Sequence, residues 1–273
     1  MIRYTKYLFI LSVVYILNCK ASVVLFPEID QGDTNWEMSQ SQHFYIYLRP
    51  SSEASRDVEF ISSYLDHMFI ECLEILDIKY QNRLKCYIYD SMQELQEKQH
   101  TKSCGFALPE FETICYYYPK ANWYQPWDGF RHEIVHVLVY WTVGGMRLNF
   151  LAEGIAVAIE KHSWPAGYDK LWVHAIASEL IKNNHLFSIN QLASNEFFVN
   201  CHILEEDKQD TTHHLYDQCG SLVLYLVDEY GIERFKGFYS KADEDNYQTI
   251  FHYTYNKSIY DFEKEWHEFL RTY

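Results

Sequence analysis

His132, Glu133 and His136 stand in the stretch FRHEIVHVLVYW, residues 130–141, among aliphatic and aromatic side chains. The run is continuous and lacks internal Pro or Gly, which predicts a helix. On a helix, residues four apart lie one above the other, so both imidazoles project from one face and can hold one metal ion. Glu133 lies about 100° round the helix from His132. That puts it beside the ion without binding it, where a general base for a metal-activated water belongs. Two imidazoles and a carboxylate in so apolar a helix are costly to bury without partners, and a metal gives all three a use.

A catalytic zinc commonly takes three protein ligands and keeps one position open, so a third ligand is expected on another element. Glu153, in LNFLAEGIAVAIE (residues 148–160), is the one acid near the start of the next apolar run. Glu160 follows two turns later on a similar face; it is either an acid that orients a ligand or, more simply, a solvated acid at the helix end. A second constellation, TTHHLYDQCGS (residues 211–221), brings His213, His214 and Tyr216 to the entry of a later helix. Tyr216 could donate to a developing oxyanion; alternatively it packs, and the histidines are exposed loop residues.

The positioning elements follow from periodicity. Pro126 and Asp128 in PWDGF offer a first turn and a cap for the metal-binding helix, and the paired glycines of TVGGMRLN (residues 142–149) end it. Residues 43–48 alternate as a strand, 53–78 carry helical spacing, and 84–89 alternate again before another helix. Residues 104–118, bracketed by Cys104 and Cys115, are expected to form a sheet-edge hairpin with Gly105 and Pro109 near its turn. From residue 168 the chain is expected to be mainly helical. Ser258 and Asp261 form a capping-box arrangement, so the charges that follow belong to a solvated helix face.

HEIVH followed by NFLAEGIA resembles the gluzincins, thermolysin-like zinc metallopeptidases whose third ligand is a Glu, and most closely the compact peptidase MA-like domains of secreted bacterial proteins. The likeness covers roughly residues 41–271. SQHFYIYL resembles the first strand of these domains, RLKCYIYDSMQELQE a later strand and helix, and LYDQCGSLVLYLVDEYGIERF with YDFEKEWHEFL the closing helices. The resemblance implies a zincin-like α+β fold: a small mixed sheet with active-site helices (about 41–162) and a helical C-terminal lobe (about 163–273). It implies Zn2+ held by His132, His136 and Glu153, Glu133 as general base, and Tyr216 as a second catalytic residue facing the zinc. It also implies an edge strand beside the zinc that pairs with extended substrate, a job for residues 104–118 if they are more than an ordinary hairpin. One departure stands out. The carboxylate that thermolysin carries four residues after the ligand Glu, hydrogen-bonded to the first His, is replaced here by Val157.

At 273 residues with 48% hydrophobic composition the chain suits one globular domain. The 24 tyrosines suit a wet cleft or surface packing and identify no ligand. A formal charge of −15 with no Lys/Arg cluster argues against nucleic acid as a partner and weakly favours cationic substrates. MIRYTK followed by YLFILSVVYIL has the form of an export signal over residues 1–19, with a tether over 20–40. ILNC resembles a relaxed lipobox that would leave Cys19 lipidated and the protein anchored to the membrane at the periplasmic or cell surface; cleavage after Ala21 would instead secrete it. The six other cysteines can pair in 15 ways. Neighbour pairing of Cys72 with Cys86, Cys104 with Cys115 and Cys201 with Cys219 is the simplest, and free buried thiols are the alternative. Asn256 begins an N-x-S sequon.

The function expected is an exported zinc-dependent metallopeptidase, a monomer acting on peptide or protein. The alternative is a non-catalytic zinc-containing surface binding module.

Overall fold

Phe44, Ile46 and Leu48 alternate with half-exposed tyrosines, and that period of two builds the sheet. The computed structural model describes residues 33, 35–99, 103–118, 128–162, 171–203 and 209–273. Five strands, β1 (Glu37–Gln40), β2 (Phe44–Leu48), β3 (Leu84–Tyr89), β4 (Gly105–Leu108) and β5 (Thr113–Tyr117), form one mixed sheet in the order β1-β2-β3-β5-β4. The central β2, β3 and β5 are parallel, and β1 and β4 run antiparallel at the edges. Register puts Ile46 beside Cys86 and Cys86 beside Ile114, so one face of all three central strands is apolar.

Parallel neighbours need a crossover, and helices α1 (Glu53–Arg56) and α2 (Val58–Leu76) supply it between β2 and β3. Ile61, Leu65, Met68, Phe69, Cys72 and Leu76 recur at helical spacing and are buried in the core. α3 (Met92–Gln99) lies on the opposite face, where Leu95 joins Tyr89, Cys115 and Trp36.

β1 falls inside the segment expected to be a patternless tether. An exposed edge strand of sequence EMSQ carries no apolar alternation, so nothing in its composition marks it. Its anchor lies outside it: Trp36 sits under the Arg49 guanidinium, 3.7 Å from ring centroid to Cζ, and Arg49 also binds Asp33 and Glu94. The expected edge hairpin forms over β4 and β5, with a 3-10 turn at Pro109–Phe111. Gly105 begins β4 instead of making the turn, and of the two hairpin strands only β4 lies at the sheet edge.

α4 (Asp128–Thr142) and α5 (Asn149–His162) follow, separated by the glycine-bearing break. α4 packs against β4, β5 and α2, and Arg131 ties its first turn to Glu71 of α2 at 2.8 Å. The remaining described elements are helical, as expected: α6 (Leu171–Lys182), α7 (Ile189–Leu192), α8 (Asn195–Ile203), α9 (Gln209–Tyr230), α10 (Ile232–Tyr239), α11 (Tyr247–Tyr255) and α12 (Ile259–Leu270). Ser258 caps α12 by accepting from the Asp261 backbone N–H. Among the described residues no helix is long and apolar enough to cross a membrane.

The expected neighbour disulfides are not formed: Cys72, Cys86, Cys104, Cys115, Cys201 and Cys219 are free thiols. Four of them are fully buried and serve as small apolar core residues. Cys86 faces the α2 side of the sheet, whereas Cys115, in register with Tyr87 and Phe106, faces α3. Cys19, Ala21 and Pro126 lie outside the described residues. Of Asp128, His213 and His214 only the backbone, in α4 and α9, is described.

Candidate metal centre

α4 is buried through Phe130, Ile134, Val135, Val137 and Leu138, which fixes its rotation and turns His132, Glu133 and His136 toward α5. The two imidazoles stack along the helix as their spacing requires, with ring centroids 4.7 Å apart. Glu153, in the second turn of α5, reaches both. Its Oε2 lies 3.1 Å from His132 Nε2 and 3.4 Å from His136 Nε2.

Those distances match the donor set. Bonds of about 2.0–2.1 Å in a tetrahedron separate ligand atoms by about 3.3 Å. The three candidate ligand atoms lie within 4.8 Å of one another, and two imidazole nitrogens with a carboxylate oxygen are donors that suit zinc. The residues fit such an ion.

The approach of α5 depends on two glycines. A Cβ on Gly154, next to Glu153, would meet Val223 at 2.5 Å and the Cys219 carbonyl oxygen at 2.7 Å; one on Gly220 would meet Val157 at 2.5 Å. The α5 and α9 backbones therefore pack closely at the turn that carries Glu153.

Charge in the site is one-sided. Burial works against a charged His132, but hydrogen bonds to Glu153 and Glu160 outweigh it and push the imidazole well above its usual range. Burial likewise works against the Glu153 carboxylate, and the charge of His136 and hydrogen bonding to His132 override it and hold the group well below the usual range. Glu133 is raised, first by burial and then by Glu153 and Glu160, against the pull of the two histidines. Three carboxylates thus crowd two imidazoles in a largely buried place, an arrangement that a divalent cation would neutralise.

The acids differ in what they touch. Glu153 and Glu160 are engaged by His132, whose Nδ1 lies 3.1 Å from Glu160 Oε2. No hydrogen bond joins the Glu133 carboxylate to any described residue. Glu160 is thereby no solvated helix-end acid: its side chain is 17% exposed and turned to the ring.

Tyr216 lies on α9, its ring edge-on to Phe198 at 6.0 Å and packed on the apolar cluster that contains Val157. Burial, with Glu153 and Glu133 close enough to add to it, raises its phenol well above the usual value. Three further groups escaped notice in the sequence. Cys104 accepts from the Tyr116 hydroxyl at 3.8 Å and feels the charge of Glu133 and His132. Tyr116 itself is buried and feels Glu133. Tyr239, on α10, is buried and feels Glu153. Alternation with Ile114 could have placed Tyr116 on the inner face; Tyr239 gets there by the folding back of α10, which leaves no local signal.

No protein-family model matches the chain and no curated protein matches it.

Proposed function

We propose that the chain is a zinc metallopeptidase of the gluzincin type, with a zincin-like fold. The observation that carries this reading is the convergence of His132, His136 and Glu153 at ligand spacing beside a further acid, Glu133, whose carboxylate no described residue hydrogen-bonds. A site built only to bind a structural ion has no use for that unengaged carboxylate.

Bound zinc would supply Lewis acidity toward the scissile carbonyl and the attacking water. Glu133 takes the proton of that water at its carboxylate and returns it to the leaving amine. Its upward shift, caused first by burial, makes it a stronger proton acceptor than an ordinary carboxylate. Tyr216 donates its phenolic hydrogen to the developing oxyanion. Burial and the neighbouring carboxylates keep that phenol protonated, so it remains a donor. β4, the antiparallel edge strand running along α4, offers its open side to an extended peptide as the next strand. The N-terminal residues support export, with anchoring through Cys19. Membrane and soluble fractions of Cys19→Ser test the anchor, which is wrong if the distribution does not change.

The functional test is to incubate the zinc-loaded chain with a diverse peptide library. Cleavage that stops with a chelator and returns with zinc is expected. Stable zinc with no cleavage of any peptide would favour the non-catalytic binding module.

A further inference from the structure

His132 spans two carboxylates: Nε2 faces Glu153 and Nδ1 faces Glu160, each at 3.1 Å. A ring that gives its Nε2 lone pair to a metal carries its proton on Nδ1, and an ionised carboxylate there can only accept it. We infer that Glu160 is the positioning residue of the metal centre, accepting the His132 Nδ1–H and thereby fixing the tautomer and ring plane that aim Nε2 at the ion. This inference rests on the reading of His132, His136 and Glu153 as a zinc site.

The placement explains why Val157 costs the site nothing. Seven residues return almost to the starting azimuth, so Glu160 lies within about 20° of Glu153 round α5 and about 10 Å further along it. Residue 157 lies about 40° to the other side. That direction is occupied: Val157 is buried with Ala158, Val173 and Leu224 and packs on the glycine surface of α9 at Gly220. A carboxylate there would enter an apolar contact between α5, α6 and α9. The carboxylate that serves His132 comes from one helical turn later, on the face that looks at α4. Such a partner also raises the basicity of the ligating imidazole, and its loss typically weakens metal binding by about 10- to 100-fold.

The test measures zinc affinity of the full chain by competition with a chromophoric chelator, together with the visible spectrum of the cobalt(II) form and the melting temperature of the metal-free form. Glu160→Ala is expected to bind zinc about 10- to 100-fold more weakly and to alter the cobalt spectrum, a loss larger than any change in metal-free melting temperature accounts for. Glu160→Gln keeps an acceptor oxygen and should recover part of the affinity. Wild-type affinity in Glu160→Ala would overturn the inference and leave the zinc reading intact. So would an affinity loss that tracks an equal fall in metal-free melting temperature in both variants, since that marks a merely structural role. A wild-type chain that binds no zinc would overturn both.

Discussion

Two buried histidine clusters in this molecule answer the same problem in opposite ways. In the helical part, His174 of α6 meets Ser221 of α9 at 2.8 Å, and the Trp266 indole N–H of α12 donates to the same hydroxyl at 3.2 Å. All three residues are buried, and Phe269 and Tyr273 close over the imidazole. Hydrogen bonds to one hydroxyl join side chains of three helices there, and the result is a clasp. At His132 and His136 the partners are carboxylates, the ligand atoms face one point, and a further acid is left unengaged. A satisfied polar cluster needs no ion; a cluster with excess negative charge at ligand spacing is one that a cation would complete. The difference lies in the chemistry of the partners, since His174 and His136 are both buried.

Substitutions in each cluster sharpen that contrast. The largest effect is expected for His136→Ala. The wild-type chain should carry about one zinc, and removing one of three ligands should lose most of it along with hydrolysis, as metal analysis of the purified variant would show. Next comes Tyr216→Phe, which keeps the packing against Phe198 and the cluster that contains Val157 and removes only the donor. Zinc content should stay, and the turnover rate should fall by about 10- to 1000-fold. Smaller still is Ser221→Ala, which leaves the Trp266 N–H and His174 without their shared partner. Thermal or denaturant unfolding should show a loss of about 1–3 kcal/mol, with zinc affinity unchanged. If Ser221→Ala lowered zinc binding without lowering stability, the division between clasp and site would fail.

The same contrast shows what the sequence can reveal. The candidate site was legible because His132, Glu133 and His136 share one helix, where spacing converts directly to direction, and because Glu153 stands near the start of the next helix. The parallel core strands were legible through the alternation of Phe44, Ile46 and Leu48 and its repeat in Leu84, Cys86 and Ile88. The His174 cluster was not, since its members stand 45 and 47 residues from Ser221 and only the packing of α6, α9 and α12 brings them together. β1 was missed for a different reason: its pairing is made by backbone groups, and its side chains are mostly exposed. The free cysteines correct a guess from proximity in sequence, because neighbours along the chain, such as Cys104 and Cys115, need not face one another across a pleated sheet. Glu160 was judged by its place at a helix end. Its distance from His132 gives it a different meaning.

On the proposed function Glu133 is a base and no ligand. Glu133→Gln preserves the shape of the side chain and removes the proton acceptor, so zinc content and peptide hydrolysis should separate. The account predicts zinc occupancy near that of the wild type and hydrolysis lower by at least about 100-fold. A Glu133→Gln chain that holds zinc and still cleaves peptide at the wild-type rate would contradict it.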